Sequence, residues 1–129
     1  MVALTENQAA LFRGTNFAAL ATIRPDGTPH VTPVWVDYDG EHVLFNTVRG
    51  NAKERYLLRD PNVTLTVWDA ENPYGYVEVL GTAEVVVEGG VDHINALSRK
   101  YTGNDYQWLR EGDQRVTVKV APTKVLGMK

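Results

Sequence analysis

The stretch FAALATIRPDGTPHVTPVW, residues 17–35, decides the fold. Residues 17–23 are an apolar run of strand length. Pro25-Asp26-Gly27 closes that run with a turn, because Pro presets φ and Gly accepts a positive φ. Residues 30–37 return as a second strand, and two strands joined by so tight a turn predict an antiparallel hairpin.

The alternation of strands and turns continues beyond this hairpin. A turn at Tyr38-Asp39-Gly40 leads into a third strand, and the strands predicted from here on cover 42–47, 62–68, 74–87 with a bend or bulge at Gly81, 114–120 and about 124–127. Helices are predicted at 5–12 with Thr5 as cap, 51–59, 91–101 and 105–110. Six or seven strands with few helices predict a mainly β fold, a small antiparallel barrel with helices at its ends.

Length and composition favour one cytoplasmic domain over residues 1–129. The chain has 129 residues, a formal net charge of −3 and no cysteine. A compact domain has about 100–150 residues, and so small a negative charge gives no basic field for nucleic acid. No apolar run reaches the ~18 residues of a membrane span. The lack of cysteine excludes disulfides, Cys-ligated metals and thiol nucleophiles.

The residues of common catalytic and metal sites are scattered or missing. Ser98 is the only serine and lies in a helical stretch, so no serine-hydrolase motif is present. His30, His42 and His93 lack metal-ligand spacing, and no Walker A or GxGxxG loop occurs. We therefore predict no metal site, and an enzyme of this sequence would take its chemistry from a bound cofactor.

Positive charge collects in residues 49–60, where four cations and two carboxylates give +2 and leave −5 for the rest of the chain. Arg49 and Lys53 fall at the start of the predicted helix, where the helix dipole disfavours a cation by about 0.3–1 kcal/mol. A bound anion reverses that cost, so the strand end, Gly turn and helix start over 47–53 predict a phosphate site. A solvated helix face is the alternative, and it accounts equally well for Arg55 and Arg59.

A second part of such a site is predicted near Trp35. Pro33 has no N–H, which places its strand at a sheet edge or opens it locally. An opened strand offers backbone N–H and C=O groups to a planar heterocycle, although core filling is the commoner role of aromatic residues. His30 is interpreted as a strand-surface residue rather than a proton donor.

Four blocks, 17–35, 47–53, 57–61 and 76–83, resemble the pyridoxamine 5′-phosphate oxidase-like, FMN-binding split-barrel superfamily. Within it, the chain is most similar to the short coenzyme F420-dependent, or deazaflavin, oxidoreductases, and the resemblance covers nearly the whole chain. Two departures concern contacts to the cofactor's tail. Tyr56 stands where the family has Asn, and Asn51-Ala52 stands where small residues often precede the Lys.

The resemblance implies a homodimer of split barrels with two cofactor sites at the interface. It assigns the cofactor's phosphate to Arg49 and Lys53, and the flavin or deazaflavin ring to the strand over Thr32–Trp35. The predicted cofactor-binding residues are Thr32, Pro33, Val34, Trp35, Thr47, Arg49, Asn51, Ala52 and Lys53. No catalytic side chain is identified, and solvent or a residue of the second subunit would protonate the product.

The function that the resemblance implies is an F420-dependent oxidoreductase, which transfers hydride from the reduced deazaflavin to an electron-poor, conjugated small molecule. The additional cations Arg55 and Arg59 suit the glutamate tail of coenzyme F420 better than they suit FMN. Two alternatives stay open: an FMN-dependent oxidase or flavin reductase of the same fold, and a non-enzymatic binder of a cofactor or haem-like ligand.

Overall fold

Residues 1–128, the part of the chain that this computed structural model describes, form one antiparallel sheet and three helices; the last residue of the predicted domain lies outside them. The helices are α1 (Glu6–Arg13), α2 (Ala52–Arg59) and α3 (Gly90–Thr102). The strands are β1 (Ala18–Ile23), β2 (Pro29–Val34), β3 (Asp37–Tyr38), β4 (Val43–Val48), β5 (Asn62–Trp68), β6 (Tyr76–Val86) and β7 (Arg115–Gly127).

The order of strands in the sheet is β2-β1-β5-β6-β7-β4-β3, and neighbouring strands run antiparallel. The sheet curls into a half-open barrel, which confirms the mainly β class and the split-barrel fold. The longest pairing joins β6 to β7, and its register shifts between Leu80 and Gly81. A Cβ at position 81 would lie 2.5 Å from the Ala121 carbonyl oxygen, so the predicted bulge needs glycine there.

The apolar core is built from alternate residues of all seven strands, with α1 and α2 packed against them. Leu20, Phe45 and Leu65 are almost completely buried, as are Phe12 of α1 and Leu57 of α2. Burying a side chain of this size stabilises the fold by about 1.5–3 kcal/mol. The remaining helix, α3, lies against β7 and β4.

Local sequence patterns define the helix starts as predicted. The Thr5 hydroxyl accepts a hydrogen bond from the Gln8 N–H (3.2 Å), and the Gln8 side chain accepts one from the Thr5 N–H (2.9 Å). The Asn51 side chain caps α2, and Asp60, just before Pro61, ends it. These caps satisfy N–H groups that a helix start otherwise leaves without partners.

The predicted single strand over 30–37 is wrong, because it breaks at Trp35 and Val36 into β2 and β3. The Val36 N–H donates to the Tyr101 hydroxyl (3.1 Å), and the Lys100 amine donates to the Val36 carbonyl. Side chains of α3 thus replace strand pairing at the break. β2 is an edge strand, which confirms the inference from Pro33.

The helix predicted at 105–110 is also wrong, because these residues are irregular and mostly exposed. Gly103 ends α3 in the left-handed region (φ 85°). The Asp105 carboxylate then pairs with Arg99 (2.6 Å), and the Tyr106 N–H donates to the Asn95 side chain (2.9 Å). Six residues give too few helical hydrogen bonds to repay nucleation, so these tertiary contacts decide the conformation.

Two strand boundaries differ from the prediction. The strands predicted at 114–120 and about 124–127 are one continuous strand, β7, because the bulge opposite Pro122 absorbs the irregularity. β6 begins at Tyr76 rather than at 74, since a turn closed by the Asp69 N–H to Gly75 carbonyl bond (2.9 Å) precedes it. In residues 1–128, no helix combines the length and apolar character that crossing a membrane requires.

Candidate functional site

A cavity of about 310 Å³ opens between the end of β2, the start of α2, α3 and the start of β7. Most of its wall is apolar or aromatic, from Phe17, Pro33, Val34, Trp35, Ile94, Leu97, Tyr106 and Trp108. Its polar groups come from Asn46, Lys53 and Arg115. An apolar wall with a few convergent polar groups is the usual make-up of a small-molecule site.

The aromatic side of the cavity is a connected set of rings. Trp35 stacks on Tyr101, with ring centres 5.3 Å apart and planes 8° from parallel. Tyr106 meets Trp35 edge-on at 6.2 Å, and Trp108 meets Tyr106 at 5.5 Å. Such pairs contribute about 0.5–1.5 kcal/mol each beyond their burial. These contacts connect Trp35 to Tyr101 and Tyr106, while Trp108 is 62% exposed at the outer end, and together the rings form a wall suited to a planar, apolar ligand.

Two cations line this cavity. The Lys53 amine has no hydrogen-bond acceptor or carboxylate partner within residues 1–128, and burial, followed by the nearby charge of Arg115, lowers the pKa of Lys53. The Arg115 Nε donates to the Asn46 side-chain oxygen (2.8 Å), and its guanidinium lies over the Tyr106 ring (5.1 Å). Two cations without a carboxylate between them favour an anionic ligand.

Asn46 links Arg115 to α3. Its side-chain nitrogen donates to the Gly90 carbonyl (2.9 Å) and lies 3.1 Å from His93 Nδ1. Nδ1 therefore accepts, which places the His93 proton on Nε2, an atom that is buried and has no partner in the described chain. Burial is the main cause that lowers the pKa of His93, so the ring is neutral.

The start of α2 satisfies most of its own polar groups. The Asn51 side chain accepts from the Glu54 N–H (3.2 Å) and donates to the Thr47 hydroxyl (2.6 Å). The buried Glu54 carboxylate accepts from the Gly50 N–H (2.8 Å) and lies 3.6 Å from Arg49 Nε. Glu54 thus supplies internally much of the negative charge that the sequence argument assigned to a ligand.

Two backbone N–H groups at this helix start, those of Ala52 and Lys53, have no partner in the described chain. The N–H groups of Gly50, Asn51 and Glu54 are already hydrogen-bonded. Any anion at the start of α2 would therefore meet two free N–H groups beside the Lys53 side chain.

The structure brings together four of the nine predicted site residues, since Pro33, Val34, Trp35 and Lys53 line the cavity. The other five, which do not line it, are Thr32, Thr47, Arg49, Asn51 and Ala52. Among these, the Thr32 hydroxyl is buried without a hydrogen-bond partner in residues 1–128.

The two outer cations of α2 and two of the histidines are engaged elsewhere. Arg55 lies over the Tyr56 ring (5.9 Å), and Arg59 donates to the Arg24 carbonyl (2.8 Å). His30 meets Tyr56 edge-on at 5.3 Å, while His42 lies 3.4 Å from the Asp39 carboxylate. None of these four side chains lines the cavity.

The cavity residues that the sequence did not predict include Asn46, Arg115, Tyr106 and Trp108. Asn46 carries a weak signal, because asparagine is uncommon in a strand such as VLFNTV. Arg115 carries no such signal, because it lies 69 residues from Asn46 in the chain. The pairing of β4 with β7 brings the two side chains together.

Comparisons with known proteins agree with this fold. The family profile described as pyridoxamine 5′-phosphate oxidase matches residues 4–129. A solved structure of an F420 reductase superposes with a TM-score of 0.85 at 32% identity, covering 95% of this chain and 98% of that one.

Two further solved structures are similar at lower identity. A conserved hypothetical protein from Mycobacterium tuberculosis gives a TM-score of 0.75 at 28% identity, over 95% of this chain and 82% of that one. A putative pyridoxamine 5′-phosphate oxidase from Lactobacillus delbrueckii gives 0.69 at 26% identity, over 97% and 94%.

Proposed function

The chain belongs to the pyridoxamine 5′-phosphate oxidase family, and from that premise we propose that it is an oxidoreductase dependent on coenzyme F420. Its reaction is the transfer of hydride from the reduced deazaflavin to an electron-poor, conjugated small molecule. The observation that carries the proposal is one cavity that combines a wall of aromatic rings in mutual contact with two cations that have no carboxylate partner within residues 1–128. The similarity to an F420 reductase at 32% identity supports the choice of cofactor.

The residues of the cavity fit such a cofactor. Lys53, with the free N–H groups of Ala52 and Lys53, would hold its phosphate, and Arg49 would add a weaker contact from the rim, where it is 43% exposed and shared with Glu54. Thr47 and Asn51 would shape that turn. A helix start with unpartnered N–H groups and a lysine is a recurrent phosphate site.

The ring of the cofactor would lie against the end of β2, at Thr32–Trp35. Among the strands of residues 1–128, β2 pairs with β1 alone, so its other edge is available. A reduced deazaflavin bound there would supply the hydride. The chain supplies a fixed position, an apolar surrounding and exclusion of water, and no side chain is assigned as a proton donor.

A second copy of the chain is proposed to complete the site. One face of the sheet carries small and apolar side chains that stay partly exposed, among them Ala19, Ala21, Ile23, Val31, Pro33, Thr64, Thr66 and Leu80. Pro33 belongs both to this face and to the cavity, so a copy packed on the face would reach the cavity's rim. A mass of one chain by light scattering would contradict this homodimer.

The experiment is a paired titration with coenzyme F420 and with FMN, followed by quenching of tryptophan fluorescence. Trp35 and Trp108 line the cavity and Trp68 does not, so Trp35→Phe should lose much of the quenching and the control Trp68→Phe should keep it. We expect F420 to bind at least tenfold more tightly, and the reduced complex to transfer hydride to conjugated quinone-like or coumarin-like acceptors.

Each other outcome replaces the proposal with a stated alternative. Preference for FMN would indicate an oxidase or flavin reductase of the same fold. The two cations of the cavity would also fit FMN, because FMN carries a phosphate. Binding without turnover would make it a ligand carrier, and binding of neither would leave the basic segment as a solvated face. The single cofactor-binding domain over 1–129 and its cytoplasmic location remain predictions.

A further inference from the structure

We propose that Arg115 is a second anion-binding residue of this cavity, which holds the ligand's phosphate group together with Lys53, and that Asn46 is the residue that positions it. This inference rests on the proposed function only for the identity of the ligand. The chemistry it requires is an oxyanion, a phosphate ester, between the two cations. The reasons are the contacts that Arg115 makes and those that it lacks.

Arg115 is held in place without being neutralised. Its Nε is bound by the Asn46 oxygen at 2.8 Å, and the Tyr106 ring lies under its guanidinium at 5.1 Å. Within residues 1–128 no carboxylate lies within 4 Å of it, and its two terminal nitrogens have no acceptor. A guanidinium whose fork is free matches two oxygens of a phosphate group.

Two other arginines of the chain each have a carboxylate partner, which Arg115 lacks within residues 1–128. Arg99 pairs with the Asp105 carboxylate at 2.6 Å, and Arg49 lies 3.6 Å from the Glu54 carboxylate. Arg115 instead shares its cavity with a second cation, Lys53, and neither has a carboxylate partner within residues 1–128. Holding two like charges on one cavity wall costs free energy in the empty protein, and a bound anion removes that cost.

Asn46 fixes the direction of the guanidinium. Its nitrogen is engaged by the Gly90 carbonyl and by His93 Nδ1, so its oxygen must face Arg115. Replacing this amide by a carboxylate would place a negative charge beside Arg115 without removing the arginine. Asn46→Asp is therefore a second way to abolish the anion site, independent of Arg115→Gln.

The test compares ligands with and without a phosphate group. FMN and riboflavin form one such pair, and coenzyme F420 and its deazaflavin core without the phosphate-containing tail form another. Arg115→Gln and Asn46→Asp should each weaken the phosphate-bearing member at least tenfold and the phosphate-free member by less than twofold. Arg110→Gln, which removes an exposed arginine outside the cavity, is the matched control and should change neither.

A second readout does not need the cofactor. Titration of the apo protein with inorganic phosphate should shift the NMR signal of the Arg115 Nε–Hε group saturably, and Lys53→Gln should weaken that response. This NMR titration also tests phosphate binding by Arg115 if a phosphate-free ligand binds too weakly to measure or if Arg115→Gln fails to fold.

The outcomes separate this inference from the proposed function. Equal losses for both members of a pair, or no loss, would overturn the role of Arg115 while leaving a cofactor-binding oxidoreductase intact. Phosphate binding at Arg115 in a protein that binds neither FMN nor F420 would keep the anion site and overturn the proposed cofactor. Failure of phosphate to shift Arg115 in a protein that binds no cofactor would overturn both.

Discussion

Cations occur both at the turn over Arg49 and Gly50, just before α2, and on the cavity wall, which Lys53 of α2 forms together with α3 and the start of β7. Within residues 1–128, only the cation of the turn has a counter-charge. At the turn, Arg49 has the Glu54 carboxylate, and Glu54 also accepts the Gly50 N–H. At the wall, Arg115 has a single neutral acceptor in Asn46, and Lys53 has none in the described chain.

This difference separates residues that hold the chain from residues that bind a ligand. A buried polar group with a partner contributes about 0.5–1.5 kcal/mol to stability, whereas one without a partner costs about 1–3 kcal/mol. The wall thus retains unfavourable charge that a ligand would relieve. Within the cation-rich segment 49–60, Arg49 is compensated by Glu54, whereas Lys53 lines the cavity without a carboxylate partner in residues 1–128.

The largest expected effect comes from glycine substitutions in the two regions. In Gly90→Ala, the new Cβ would lie 1.8 Å from the Arg115 carbonyl oxygen, so the packing of α3 on β7 must shift. We expect a loss of about 3 kcal/mol or more in the free energy of unfolding. Gly50→Ala meets no atom within 4 Å and pays only for its positive φ of 89°, about 1–2 kcal/mol.

Urea denaturation of both variants measures this contrast. Losses of similar size would mean that α3 and β7 separate easily, and the wall would then be too soft to hold Arg115 in a fixed direction.

The next largest effect is a difference in cofactor affinity between variants of Lys53 and Arg49. Lys53→Gln should weaken the phosphate-bearing cofactor at least tenfold, since a charged hydrogen bond contributes about 1.5–3 kcal/mol. Arg49→Gln should weaken it by no more than about threefold, because Arg49 is 43% exposed and already shared with Glu54. Isothermal titration calorimetry on both variants gives the ratio. Equal losses would show that Arg49 leaves Glu54 to bind phosphate, and the distinction between the regions would disappear.

The smallest effect is a dependence on pH. The folded-state pKa of Lys53 lies below its ordinary value of 10.5, mainly because of burial. Between these two pKa values the unfolded chain binds more protons, so stability rises with pH, and the charged amine costs stability near neutral pH. Lys53→Gln should therefore be more stable than the parent at pH 7, and this advantage should vanish above the unfolded pKa.

Urea unfolding of Lys53→Gln and of the parent across this pH range tests whether the stability difference falls as pH rises. Lys124→Gln, at an exposed lysine, is the control. An advantage that grows with pH would contradict the burial of an unpaired charge. Affinity for the phosphate ligand should change in parallel, falling as pH rises through the folded pKa, because only the protonated amine attracts the anion.

Sequence patterns predicted the parts of the fold that depend on neighbouring residues. The Thr5 cap, the turn at Gly27 and the bulge at Gly81 each follow from residue chemistry within a few positions. The resemblance predicted the half-open barrel, and the charge pattern directed attention to Lys53. Each of these predictions uses either a pattern of neighbouring residues or the resemblance of the whole chain to a family of known fold.

The features that sequence patterns did not predict depend on contacts between residues far apart in the chain. The break at Val36 exists because Tyr101, 65 positions later, binds its N–H, and the predicted helix at 105–110 fails because Asn95 and Arg99 hold its first residues. Arg115 enters the site through Asn46 at a separation of 69 residues. No periodicity or motif within one segment encodes such pairings.

The break after β2 bears on how relatives of this protein diverge. The main chain there is held at Val36 by Lys100 and Tyr101, whose bonds do not depend on which side chain residue 35 carries. Exchange of Trp35 would remove its stack on the Tyr101 ring and reshape the ligand wall, but the hydrogen bonds to the Val36 main chain would still hold the strand end in place. Positions 100 and 101 have no such freedom, so variation in ligand preference should accumulate at 35 against an unchanging pair on α3.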